Sequence, residues 1–147
     1  MNYAPRDQQD GQQLLTMLRH AAGVIENRLE RAVEARGLSL AKLGVLHALA
    51  TKGGSLPLGR LADSLSCVRS NITQLVDRLE AEGLVRREPD PEDRRSRLAT
   101  MTEEGRRRYE AASRAQDEAE REILGNMPAE QRRQLAALLH EIGTAIE

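Results

Sequence analysis

Apolar positions in the first quarter of the chain recur with the stagger of a helix. Leu14, Leu15, Leu18, Ala22, Ile25, Leu29 and Val33 make one stripe, which predicts a helix from about Asp10 to Arg36. Gly37 is its stop. Ser39 is placed to cap a second helix through Ala50, closed by Gly53 and Gly54. A short third helix is expected from about Pro57 to Ser64, and a fourth from about Arg69 to Glu82, ended by Gly83. The period then changes. "GLVRRE" and "RLATM" read as two strands on either side of a long loop, a β-hairpin. Thr102 caps a fifth helix, with Glu103 and Glu104 in its first turn, where carboxylates favour the helix dipole. That helix runs to about Leu124. A sixth starts near Pro128 and carries Leu135, Leu138, Leu139 and Ile142, with Ile146 beyond.

A short helix, a turn, a second helix and a two-stranded hairpin make a winged helix-turn-helix. The expected fold is mainly α with a small β-hairpin wing and six helices. The long flanking helices carry apolar stripes that the winged module does not use, and a second copy of the chain is the simplest partner for them. The expectation is therefore a single domain over residues 1–147, dimeric. In it, residues of about 38–101 form the winged helix-turn-helix lobe, and residues of about 8–36 and 102–147 form the dimerising region.

Composition narrows the function. The 147 residues include no Phe, no Trp and only Tyr3 and Tyr109 as aromatics, which argues against stacking on single-stranded nucleic acid. The formal charge is -1, so a nucleic-acid partner has to be held by a local patch and not by a global field. The N-terminus has no apolar signal core and no run reaches a membrane span, so a cytoplasmic protein with no membrane partner is expected. An enzyme is not expected: there is no phosphate-binding glycine loop, no nucleophile elbow, and no His/Cys cluster with metal spacing. His20, His47 and His140 lie far apart, and neither a metal nor a cofactor is anticipated.

The fourth helix has two faces. Val68, Ile72, Leu75, Val76 and Leu79 point inward, while Ser70, Gln74 and Asp77 point outward, flanked by Asn71, Thr73 and Arg78. Such short polar groups and an amide suit base edges in a major groove, and they also suit an ordinary solvated face. The hairpin loop poses the same choice. Arg94, Arg95 and Arg97 stand directly behind Asp90, Glu92 and Asp93, a run that by composition alone neutralises itself.

The stretch from Pro57 to Gly105 resembles the multiple-antibiotic-resistance regulator (MarR) family of transcription factors. The motifs cover roughly residues 40–110; the most specific is Asp93-x-Arg95, an apolar residue six positions later, then Thr102-x-x-Gly105. Met101 stands where the family usually has Leu. Val68 stands where it often has a small polar cap, which leaves Ser66 or Ser70 as alternative caps. The resemblance implies a homodimer on pseudo-palindromic double-stranded DNA, with the fourth helix in the major groove and the wing in the minor groove. On that basis Arg69, Ser70, Asn71, Thr73, Gln74 and Arg78 are the expected reading residues. Arg95 is the wing-tip arginine and Asp93 the acid that orients it. Arg94 and Arg97 are expected at phosphates, as are Arg86 and Arg87 at the wing base.

A small phenolic or anionic ligand is expected in a crevice between the long helices and the winged lobe, with Arg19, His20, Arg28 and His47 as its candidate polar groups. The implied function is a DNA-binding regulator, a repressor of its own or neighbouring genes released by that ligand. Two alternatives stay open. One is a winged-helix protein-interaction module without DNA binding. The other is a thiol-based redox regulator using Cys67, the only cysteine, although its place in the turn favours simple packing.

Overall fold

The structure is a computed structural model and describes residues 6–65 and 69–146. Among the described residues there are six helices and three strands. In chain order they are α1 (Arg6–Glu34), α2 (Leu40–Thr51), β1 (Ser55–Pro57), α3 (Leu58–Ser64), α4 (Arg69–Ala81), β2 (Val85–Pro89), β3 (Arg97–Met101), α5 (Glu103–Leu124) and α6 (Ala129–Thr144). This is the mainly α architecture with a small wing that the pattern predicts. Two caps act as expected. The Ser39 hydroxyl accepts from the Lys42 N–H at 3.2 Å, and the Thr102 hydroxyl accepts from the Gly105 N–H at 3.0 Å.

One element differs. The wing is not a simple hairpin: β1 adds an antiparallel third strand, and the order is β1-β3-β2. Leu56 lies opposite Ala99, and Arg87 lies opposite Ala99 from the other side. Three residues ending in Pro57 are too few to set a period, so periodicity could not reveal the strand. Its edge position is where a proline is tolerated in a sheet.

The core lies under α2, α3, α4 and the sheet. Leu46, Leu49, Leu61, Ile72, Val76, Leu79, Leu84 and Val85 are essentially fully buried. Each such side chain contributes roughly 1.5–3 kcal/mol of transfer free energy. The C-terminal half of α1 packs along α5, where Val33 meets a helix whose buried residues are the small Gly105, Ala112 and Ala119. The rest of the long-helix surface is open. Leu14, Leu15, Met17 and Val24 of α1 and Leu138 and Leu139 of α6 are each about half exposed, and α6 buries no residue.

Gly105, at the junction between wing and α5, leaves little room for a side chain. Thr102 donates its hydroxyl to the Gly83 carbonyl at 2.7 Å, and its N–H goes to the Leu84 carbonyl at 3.0 Å. A Cβ on Gly105 would stand 2.0 Å from that same Leu84 oxygen. The T-x-x-G spacing is therefore a steric requirement: the threonine caps α5 and only glycine lets β2 begin against it.

Candidate nucleic-acid interface

On α4 the inner row is as the stagger predicts. Ile72, Val76 and Leu79 are buried and Leu75 is half-buried. Asn71, Thr73, Gln74, Asp77 and Arg78 are exposed. The helix ends at a left-handed Gly83, φ 73°. Ser66, Cys67 and Val68 lie outside the described residues, as do the side chains of Arg69 and Ser70. The two expectations for Cys67, packing or redox sensing, are therefore both untouched by the structure.

The wing loop resolves the apparent self-cancellation of its charges. Asp90 accepts the Glu92 N–H and Asp93 accepts the Arg95 N–H, each at 2.9 Å, and the Asp93 carbonyl accepts the Ser96 N–H at 2.9 Å. These carboxylates shape the backbone in Asx-type turns. Asp93 thus engages Arg95 through its main-chain N–H. Arg94, Arg95 and Arg97 are exposed, and among the described residues none of them has an ion-pair partner.

The wing base behaves differently. Arg86 is paired with Glu88 at 2.5 Å, and Glu88 also accepts from the Thr100 hydroxyl at 3.0 Å. The Arg86 and Thr100 hydrogen bonds hold the Glu88 carboxyl below the ordinary carboxylate range. Arg87, expected at phosphates like Arg86, turns the other way, against α4. Its guanidinium meets Asp77 and Glu80, each at 2.5 Å, and its side chain is only 18% exposed. Burial works against its charge, but the hydrogen bonds and attraction of the two carboxylates outweigh that and raise its pKa above the ordinary arginine value.

A cleft of about 570 Å³ joins the three parts of the winged lobe. Arg60 and Asp63 of α3, Thr73 of α4, and Asp93, Arg95 and Arg97 of the wing all border it. Arg60 is exposed, without an ion-pair partner among the described residues, and was missed from sequence. The signal was there: Leu61 and Ala62 face the core, which leaves Gly59, Arg60 and Asp63 for the outer side.

A second cleft, of about 540 Å³, opens between α2 and α5. Leu40, Leu43, His47, Tyr109, Ser113 and Asp117 border it, and His47 Nδ1 lies 2.9 Å from the Tyr109 hydroxyl. Of the four expected ligand groups only His47 is there. Arg28 is paired with Glu122 at 2.5 Å, and Arg19 and His20 stand exposed on α1, away from the cleft lining. Tyr109, one of two tyrosines, was the missed candidate. Among the described residues no helix is long and apolar enough to cross a membrane, and no group of three or more His, Cys, Asp or Glu could hold a metal ion.

Comparison with known proteins agrees with this geometry. The family model described as "MarR family" matches residues 36–96. The chain is 41% identical over 99 residues to the transcriptional activatory protein BadR of Rhodopseudomonas palustris, covering 66% of this chain and 57% of that protein. It thus spans somewhat over half the length of that relative. It is 30% identical over 108 residues to the transcriptional regulator HosA of Escherichia coli O111:H-, covering 74% of this chain and 79% of HosA. Among solved structures, the fold matches Sco3205, a MarR family regulator of Streptomyces coelicolor in complex with DNA, with TM-score 0.81, 25% identity and coverage of 100% and 92%. It also matches CouR of Rhodococcus jostii RHA1 bound to p-coumaroyl-CoA, with TM-score 0.71, 30% identity and coverage of 86% and 88%.

Proposed function

The chain belongs to the MarR family of transcriptional regulators, and from that premise we propose that it is a homodimer that binds a pseudo-palindromic operator and is released from it by a small molecule. Gln74, Asn71, Thr73 and Arg78 of α4, with Arg69 and Ser70 at its start, read the major groove. Arg95 enters the minor groove. Arg94 and Arg97 meet phosphates, joined by Arg60, whereas Arg86 does so only if it leaves Glu88. Residues of about 38–101 act as the DNA-binding lobe, and residues of about 8–36 and 102–147 hold the two copies together, in the cytoplasm. The observation that carries the reading is the first cleft. It sets Arg60, Thr73, Arg95 and Arg97, from three separate elements, around one groove of about 570 Å³.

The ligand site of this reading is the α2–α5 cleft. Apolar walls from Leu40 and Leu43 with a few convergent polar groups suit a small aromatic compound. Asp117 on the rim disfavours an anion and favours a phenol, whose hydroxyl can donate to it. The CouR structure holds p-coumaroyl-CoA, so a phenolic ligand has a precedent in a relative. Occupancy of a cleft between α2 and α5 shifts the winged lobe against the long helices. The two reading helices of a dimer must sit about one DNA turn apart, roughly 34 Å. A ligand that favours another spacing therefore weakens binding, and by linkage the operator weakens the ligand by the same factor.

Footprinting on duplex DNA upstream of the protein's own gene tests the function. Two protected half-sites about one turn apart are expected, lost on adding a phenolic ligand, with transcription rising as protection is lost. No protection and no duplex binding would favour a winged-helix protein-interaction module without DNA binding, and equal affinity for operator and random duplex would overturn the sequence-specific reading. Falling transcription on release would make the protein an activator.

A further inference from the structure

The proposed reading helix carries two carboxylates, Asp77 and Glu80, with side chains 57% and 40% exposed. Acids so close to a phosphate backbone weaken binding unless something compensates them. One side chain does so. Arg87 on β2 places Nη2 2.5 Å from Asp77 Oδ1 and Nη1 2.5 Å from Glu80 Oε2, and Nη2 also lies 3.5 Å from the Thr73 carbonyl. Its backbone N–H donates to Glu80 Oε1 at 3.2 Å. Residues 73, 77 and 80 share one face of α4, so a single guanidinium spans two turns of the helix. The planar fork of arginine suits this double engagement, and the point charge of lysine does not.

We propose that Arg87 is a positioning residue that locks strand β2 of the wing to α4 and neutralises its two acids, so that helix and wing meet adjacent grooves as one rigid body. It does this without touching DNA. The proposal rests on the DNA-binding reading above for its consequence, but the lock itself is a property of the free protein. The adjacent Arg86 shows what the alternative looks like: on the same strand, facing outward, its side chain is 59% exposed. Alternation along β2 sends one arginine to solvent and the next to the helix.

The test uses the full chain with Arg87→Gln and Arg87→Lys, each also in an Asp77→Asn, Glu80→Gln background. Arg87→Gln is expected to weaken operator binding about tenfold, and the same change in the background lacking both acids to cost less than about threefold, the signature of coupled residues. Arg87→Lys, which keeps the charge, is expected to fall between wild type and Arg87→Gln. A direct phosphate contact gives the opposite pattern: the same loss in both backgrounds, a salt slope shallower by about 0.9, and rescue by lysine. Either that pattern or wild-type binding by Arg87→Gln overturns the proposal. Hydrogen exchange of the free protein supplies an arm that needs no DNA. The amides of α4 and β2 should exchange faster in Arg87→Gln, with those of α5 unchanged, and equal exchange throughout would also overturn it. Should wild type bind no duplex, the DNA-binding reading falls while hydrogen exchange still decides the lock.

Discussion

Gly105→Ala isolates the steric requirement at the wing–α5 junction. The added methyl would lie 2.0 Å from the Leu84 carbonyl oxygen and 3.0 Å from Met101 Cγ. Relief needs a separation of about 3.2 Å or more, so the Leu84 backbone or the start of α5 must move by roughly 1.2 Å, in an interior that transmits strain and does not absorb it. The Met101 side chain can yield, but the Leu84 oxygen cannot move freely. It accepts the Thr102 N–H at 3.0 Å, and Leu84 itself is fully buried. Overpacking costs about 1–3 kcal/mol, and weakening a buried backbone hydrogen bond adds about 1 kcal/mol or more. The better helix propensity of alanine returns at most about 1 kcal/mol. The net expectation is a loss of roughly 1–4 kcal/mol, a fall in Tm of about 3–12 °C for a domain of this size. Urea unfolding at fixed protein concentration reads it as a lower midpoint with an unchanged m-value. A midpoint within about 0.5 kcal/mol of wild type would refute the argument, because it would mean that the junction relaxes freely and the T-x-x-G spacing has no steric basis.

Three further outcomes follow from the same geometry. Gln74→Ala should lose about 1–3 kcal/mol at particular base pairs only, whereas Arg95→Ala should weaken binding to all sequences with a salt slope shallower by roughly one unit; titrations on operator and random duplex separate the two. Glu88 has its carboxyl held below the ordinary range, so its contribution to the wing is present above that range and lost as pH falls through the lowered value. Protection factors at the β2–β3 pairing, which correct for the intrinsic slowing of amide exchange in acid, should therefore fall in acid in wild type, and Glu88→Gln should flatten that dependence. Ending the chain at Asn126 removes α6, and light scattering should then report loss of the dimer or aggregation; a well-behaved dimer of the shortened chain would show that α6 is not part of the interface.

Most of the fold was legible because each boundary had a local cause. Ser39 and Thr102 cap their helices whatever the rest of the chain does, and the change of period at Leu84 marks the wing. What periodicity could not supply were features made by approach. Ser55–Pro57 becomes a strand only because β3 is there to pair with it. The apolar stripe of α1 divides into a buried end at Val33 and an exposed end at Leu14 and Leu15, although the spacing of the two halves looks alike. The difference is made by what packs against each half: α5 and α2 cover the C-terminal part of α1, and among the described residues nothing covers Leu14 and Leu15.

The site was legible as residue types and illegible as pairings. In sequence Arg86, Arg87, Arg94, Arg95 and Arg97 look like one basic run interrupted by acids, and the formal charge of -1 gives no hint of a basic face. Folding sorts them. Asp90 and Asp93 bind backbone N–H groups and so leave the loop guanidiniums unpaired, while Arg87 takes up Asp77 and Glu80 and Glu88 holds Arg86. Most acids of the wing lobe thus engage its own backbone or arginines. Among the described residues the arginines there without an ion-pair partner are Arg94, Arg95 and Arg97 at the tip, Arg78 on α4 and Arg60 across the cleft, where Asp63 stands beside it. A nearly neutral chain can therefore present a positive groove, because what a duplex meets is set by which charges remain unpaired and not by their sum.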